Sequence, residues 1–132
     1  MNIDTHFKLN KARDAIYLYD GELGEKLTVP SEIKGMKVEK INSRAFKQKG
    51  IKELVLPEGL KTIGAEAFMN NDIEKVTIPS TVTSIGKKAF YSYLSYNRTG
   101  VTNKPYMLIE LKGDPSRFDD SWYEIGFDAR AL

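Results

Sequence analysis

The central part of the chain alternates buried-type and outward positions in short runs. Leu54-Val55-Leu56 and Val76-Thr77-Ile78 each place two apolar side chains on either side of one that points away, the period-two pattern of a half-buried strand. Pro57 and Pro79 follow, and proline, lacking an N–H, ends a strand ladder. A second extended run, Leu60 to Ile63 or Val82 to Ile85, returns along another face. Gly64 or Gly86 then opens a bend, and Ala65 to Phe68 or Lys87 to Phe90 makes a short helical turn. Every element of the second set lies 22 positions after its counterpart, with Ile, Pro, Gly, Ala and Phe retained. A weaker copy precedes both, from Leu27-Thr28-Val29-Pro30 to Ile41-Asn42-Ser43-Arg44-Ala45-Phe46, with five extra residues around Lys34-Gly35-Met36-Lys37. A fixed period in this range means a solenoid, in which each unit buries its apolar side only by stacking on the next. Phe46, Phe68 and Phe90 hold equivalent places, so the pattern predicts an interior ladder of rings at roughly the 4.8 Å strand spacing.

The ends depart from this rhythm. Phe7 to Asn10 and Ala15 to Tyr19 are strand-like runs joined by a polar segment, which predicts a hairpin covering the open end of the first coil. Beyond Phe90 the next strand position falls on Ile109, 19 residues on instead of 8, so eleven extra residues are inserted within Tyr91 to Pro105. Trp122, Tyr123, Ile125 and Phe127 have the bulk to close the last coil.

The repeated LxLPxxLxxIGxxAF pattern resembles the BspA-type leucine-rich repeat of bacterial proteins, from about Asp14 to Trp122. That resemblance implies a leucine-rich-repeat solenoid (α/β, mainly β) of three to four stacked coils with parallel strands and short helical turns. It also implies an N-terminal β-hairpin cap and a C-terminal aromatic cap. Gly113 to Trp122 looks like the family's closing segment, in which a Pro and an aromatic precede a Trp that plugs the far end. One domain, 1–132, divides into an N-terminal cap (1–26), repeats (27–91), an insertion (92–105) and a last coil with its cap (106–132). The family's class of work is binding other macromolecules.

Composition narrows the function further. A chain of 132 residues fits one domain and can bury roughly two-thirds of its unfolded surface. Twenty basic and eighteen acidic residues leave a net charge of +2, which asks for neither nucleic acid nor an anionic membrane. Lys47, Lys49, Lys52 and Lys75 are interleaved with Glu53, Glu66, Asp72 and Glu74, so no continuous basic stripe is expected. Without cysteine, and with His6 as the single histidine, catalytic triads and the usual zinc sites lack their residues. No glycine motif of a phosphate loop accompanies a strand. Asp119-Asp120 and Asp72/Glu74 read as solvated carboxylates, and Asn97-Arg98-Thr99 as a chance glycosylation triplet. No enzyme, no cofactor and no metal site is expected.

What remains is a protein partner for a monomeric module. The outward side chains of the first strand set form one candidate face, Glu53, Val55, Lys75, Thr77 and Glu110, bordered by Lys26, Thr28 and Leu108. The insertion forms another: Tyr91, Tyr93, Tyr96, Arg98 and Tyr106 concentrate the residue types enriched at interface hot spots, with Tyr96 and Arg98 as the leading contacts. Two readings of that loop stand side by side, recognition on a rigid scaffold and a tolerated loop in which Tyr93 and Leu94 fold back on the coil. A structural component of a phage particle or tail-like assembly is the alternative to the binding module. The N-terminus has no basic start followed by an apolar run, and no stretch approaches the ~20 apolar residues of a membrane span. A cytoplasmic location follows from that pattern, with a cell surface or phage particle left open.

Overall fold

The computed structural model describes residues 7–9, 11, 15–19, 26–71, 73–91, 108–114 and 118. Two sheets run along the stack, parallel throughout except for one N-terminal strand pair. The first has the order β11-β9-β7-β3, made of Leu108–Leu111 (β11), Lys75–Ile78 (β9), Glu53–Val55 (β7) and Lys26–Thr28 (β3). Its register aligns Leu27, Leu54, Val76 and Ile109 in one row. Ile109 thus takes the expected strand position despite the eleven extra residues before it. The proline column also behaves as its chemistry requires. Lys112, which stands where the earlier coils carry Pro57 and Pro79, donates its N–H to the Ile78 carbonyl at 3.0 Å. Proline cannot make that bond, so the ladder stops one residue sooner in those coils.

The second sheet has the order β1-β2-β6-β8-β10: Phe7–Leu9 (β1), Ile16–Tyr19 (β2), Lys40–Ile41 (β6), Thr62–Ile63 (β8) and Ser84–Ile85 (β10). β1 and β2 pair antiparallel, as the hairpin reading expects, with Phe7 opposite Tyr19. β2 then runs parallel to β6, with Ile16 opposite Ile41. The N-terminal segment is therefore also the first strand of the second sheet, which the hairpin pattern alone does not reveal. The five extra residues of the first coil form a small antiparallel pair, Glu32–Ile33 (β4) with Met36–Lys37 (β5). Lys34 and Gly35 between them have φ of 50° and 82°, the two left-handed positions that a two-residue hairpin turn needs.

The third side of each coil is a stack of turns. Ala45, Ala67 and Ala89 donate to Asn42, Gly64 and Gly86 respectively, and Lys47, Met69 and Tyr91 close a second turn onto Arg44, Glu66 and Lys88. No continuous helix forms, because Arg44, Glu66 and Lys88 hold φ of 62°, 59° and 57°, outside the helical well. The reversed residue aims alternate N–H groups at the next coil. Phe46 donates to Ala67 and Phe68 to Ala89, both at 2.8 Å, and Gln48 to Met69 at 2.9 Å. The turns are thereby tied into a third ladder. Inside it the predicted rings stack: Phe46 and Phe68 lie 5.1 Å apart at 9°, and Phe68 and Phe90 5.4 Å apart at 10°. Phe7 meets Phe46 edge-on at 6.1 Å.

Gly64 and Gly86 serve the stacking more than the bend, since neither has a positive φ. A Cβ on Gly64 would sit 2.6 Å from the Ser43 nitrogen, and one on Gly86 2.4 Å from the Ala65 nitrogen. Both obstacles are backbone, which cannot rotate away. Gly86→Ala should therefore force the second and third coils apart and cost about 1–3 kcal/mol, in the range of overpacked interiors. A urea midpoint equal to that of the unsubstituted protein would show that the coils are spaced more loosely than described.

Trp122, Tyr123, Ile125 and Phe127, the proposed closing residues, lie outside the described residues. So do Tyr93, Tyr96, Arg98 and Tyr106.

Candidate functional site

The first sheet turns its apolar rows inward and leaves an ordered outer face. Lys26, Glu53 and Lys75 are register neighbours in one row, so charges alternate at strand spacing. Thr28, Val55, Thr77 and Glu110 make the next row. Lys26, Thr28, Lys75 and Glu110 are exposed, Glu53 and Thr77 half-buried, and Val55 is the large apolar side chain left in solvent, at 37%. The Thr77 hydroxyl lies 3.5 Å from a Glu110 carboxylate oxygen. Two cations face two carboxylates, so the face is electrically balanced with one apolar centre. It is a preformed surface, and the backbone of its central strands β7 and β9 is fixed by ladders on both sides.

Of the insertion candidates, Tyr91 is described. It is half-buried, and its carbonyl accepts from Asn70 at 2.8 Å as the last rung of the turn stack. The Lys88 ammonium lies 5.4 Å from the centre of its ring, a cation–π distance. Tyr91 is thus anchored in the scaffold at the point where the insertion departs.

The outer turn face carries its own charges. Arg44 Nε donates to Glu66 Oε1 at 3.1 Å, and Lys47 Nζ lies 3.9 Å from the same oxygen. Lys61 Nζ pairs with Glu39 Oε2 at 2.8 Å. The hydrogen bond from Lys61, then its charge, holds the Glu39 carboxyl below the ordinary carboxylate range. The sign follows: this pair supports the fold above that range and is lost as pH falls through it. Being fully exposed, it supports the fold only weakly.

One buried polar residue was not anticipated. Asn71, 2% exposed, accepts from the N–H groups of Lys49 and Ile51 at 2.8 and 3.2 Å. Its amide donates to the carbonyls of Phe46 and Phe68 at 2.8 and 2.9 Å. Four backbone groups of two coils are thus satisfied by a single side chain. Thr81 does a smaller version of the same work, accepting from Gly59 at 3.0 Å and donating to Leu60 at 2.7 Å. Both act on the scaffold, and neither presents chemistry to solvent. Among the described residues no three His, Cys, Asp or Glu side chains gather as metal ligands, and no helix is long and apolar enough to cross a membrane.

Two parallel sheets and a turn ladder, repeating every 22 residues around a column of rings, define a leucine-rich-repeat solenoid. The family model of the BspA type leucine rich repeat region (6 copies) matches residues 23–105, more than half of the chain, and the chain belongs to that family. In fold it is similar to the crystal structure of the T. pallidum leucine-rich repeat protein, at 22% identity and a TM-score of 0.50. That match covers 66% of this chain and 54% of the other, so the chain spans about half the length of that relative. No curated protein matches the sequence.

Proposed function

We propose that the chain is a non-enzymatic module that binds another protein through the outer face of the first sheet, extended by the insertion that starts at Tyr91. Leucine-rich repeats work as a class by protein interaction, and the fold and family of this chain place it in that class. The observation that carries the finer reading is the register. It sets Glu53, Lys75, Val55, Thr77 and Glu110 side by side on one rigid, charge-balanced surface around an exposed apolar side chain. Such a surface loses little conformational entropy on binding. The side chains of the insertion, Tyr93, Tyr96, Arg98 and Tyr106, extend the contact with the residue types that dominate hot spots. The module acts as a monomer and needs no cofactor. No described feature favours a repeating assembly component instead.

The test compares proteins retained from a lysate of the source organism by three immobilised chains: unsubstituted, Val55→Arg, and Tyr93→Ala/Tyr96→Ala/Arg98→Ala. A discrete partner held by the first and lost from both variants is the expected result. Val55→Arg should leave stability within about 0.5 kcal/mol, because the site is on the surface. Loss from the triple variant alone would move the interface to the insertion. Retention by all three would remove it from both surfaces.

A further inference from the structure

Charge is distributed far less evenly than the net +2 suggests. Residues 75–109 contain five cations, Lys75, Lys87, Lys88, Arg98 and Lys104, and no carboxylate. The remainder carries fifteen cations against eighteen carboxylates, so the third coil and its insertion are strongly basic on an otherwise acidic chain. The fold puts two of these cations, Lys87 and Lys88, on the turn face, while Lys75 lies on the first sheet. Lys87 and Lys88 are exposed there, and among the described residues neither has a carboxylate partner. Glu66, one coil below Lys88, is taken up by Arg44 and Lys47. The left-handed backbone at residue 88 fixes the direction in which Lys88 leaves the coil, and its ammonium lies 5.4 Å from the centre of the Tyr91 ring.

We infer that the turn face of the third coil, Lys87 and Lys88 with Tyr91, is a second docking site that takes an acidic protein segment. This rests on the reading of the chain as a protein-binding module. A segment rich in Asp or Glu supplies the missing carboxylates. Tyr91 adds an aromatic surface beside the charges. Nucleic acid fits less well. The third coil offers on this face two exposed cations without a carboxylate partner among the described residues, whereas a phosphate backbone is held at physiological salt by many more.

The full chain tests this against a fluorescein-labelled peptide of alternating Glu and Ser, read by anisotropy. Binding should weaken as salt rises from about 50 to about 300 mM, since exposed charges are screened over that range. Lys87→Glu/Lys88→Glu should weaken binding by about fivefold or more through lost charge complementarity. Glu is compatible with the backbone at residue 88, because Glu66 already holds the equivalent left-handed position. Lys37→Glu/Lys40→Glu makes the same change of net charge at exposed positions on β5 and β6 and should leave binding within about twofold. Equal weakening by both double variants would mean that only net charge matters, and the site would fall. It would also fall if a dT oligonucleotide of equal charge bound more tightly, if a peptide of alternating Lys and Ser bound as well, or if self-association explained the anisotropy. Each of these leaves the capture result for the sheet face standing, since that experiment does not depend on Lys87 or Lys88.

Discussion

Phe68→Ala is expected to lower stability by about 3–5 kcal/mol. The ring is fully buried and sandwiched between Phe46 at 5.1 Å and Phe90 at 5.4 Å, both nearly parallel to it. Collapse into the vacated space is blocked, because the rings above and below hang from turns that are themselves hydrogen-bonded coil to coil. Phe46 and Phe68 each donate to the next turn at 2.8 Å, so neither backbone can sink toward the hole. The unrelieved cavity then adds its own cost to the lost burial. Against a total of about 5–15 kcal/mol for a domain of this kind, the loss takes away a large fraction of the stability. Urea denaturation followed by circular dichroism measures it. A midpoint unchanged by the substitution would contradict the stacked column.

Asn71→Leu is expected to cost about 2–5 kcal/mol for a different reason. The substitution keeps the branched shape, with a larger volume, and removes an acceptor from the Lys49 and Ile51 N–H groups, as well as both donors to the Phe46 and Phe68 carbonyls. Ile51 is fully buried, so water does not readily replace the lost partner. Asn71→Asp separates the two halves of the argument. It preserves the acceptor but turns a carboxylate oxygen toward two carbonyls, which disfavours the charged form and raises the carboxyl pKa in the folded state. The penalty should therefore be largest at neutral pH and shrink as pH falls below the folded-state pKa, when the proton restores a donor. Melting of Asn71→Asp that is insensitive to pH, relative to the unsubstituted chain, would show that the donors to Phe46 and Phe68 contribute little.

The two residues also mark what sequence periodicity can and cannot show. Phe68 is legible because it has counterparts at Phe46 and Phe90, and repetition every 22 residues separates a structural position from chance. The same logic placed Ile109 in register across an insertion of eleven residues. Asn71 has no such counterpart: 22 residues to either side the sequence has Lys49 and Tyr93. A side chain that ties two coils together once leaves no periodic trace. The left-handed turns are hidden for a related reason. Arg44, Glu66 and Lys88 share a backbone conformation but no residue type, and none is the glycine that ordinarily advertises it. Gly64 and Gly86 were visible, yet their purpose was not, since a bend and a close backbone approach call for the same residue. The outer face of the first sheet could be written down from period two alone, whereas the absence of a carboxylate partner for Lys87 and Lys88 among the described residues emerges only from the turn they share.

The central claim is that the sheet face carries the protein contact. A photo-crosslinking amino acid placed at Val55 tests it most directly, with the same probe at the exposed Lys34 of the β4–β5 turn as the comparison. Irradiation in the source organism's lysate should yield a discrete higher-mass adduct from position 55 and none from position 34. No adduct from position 55, or the same adducts from both positions, would contradict the account.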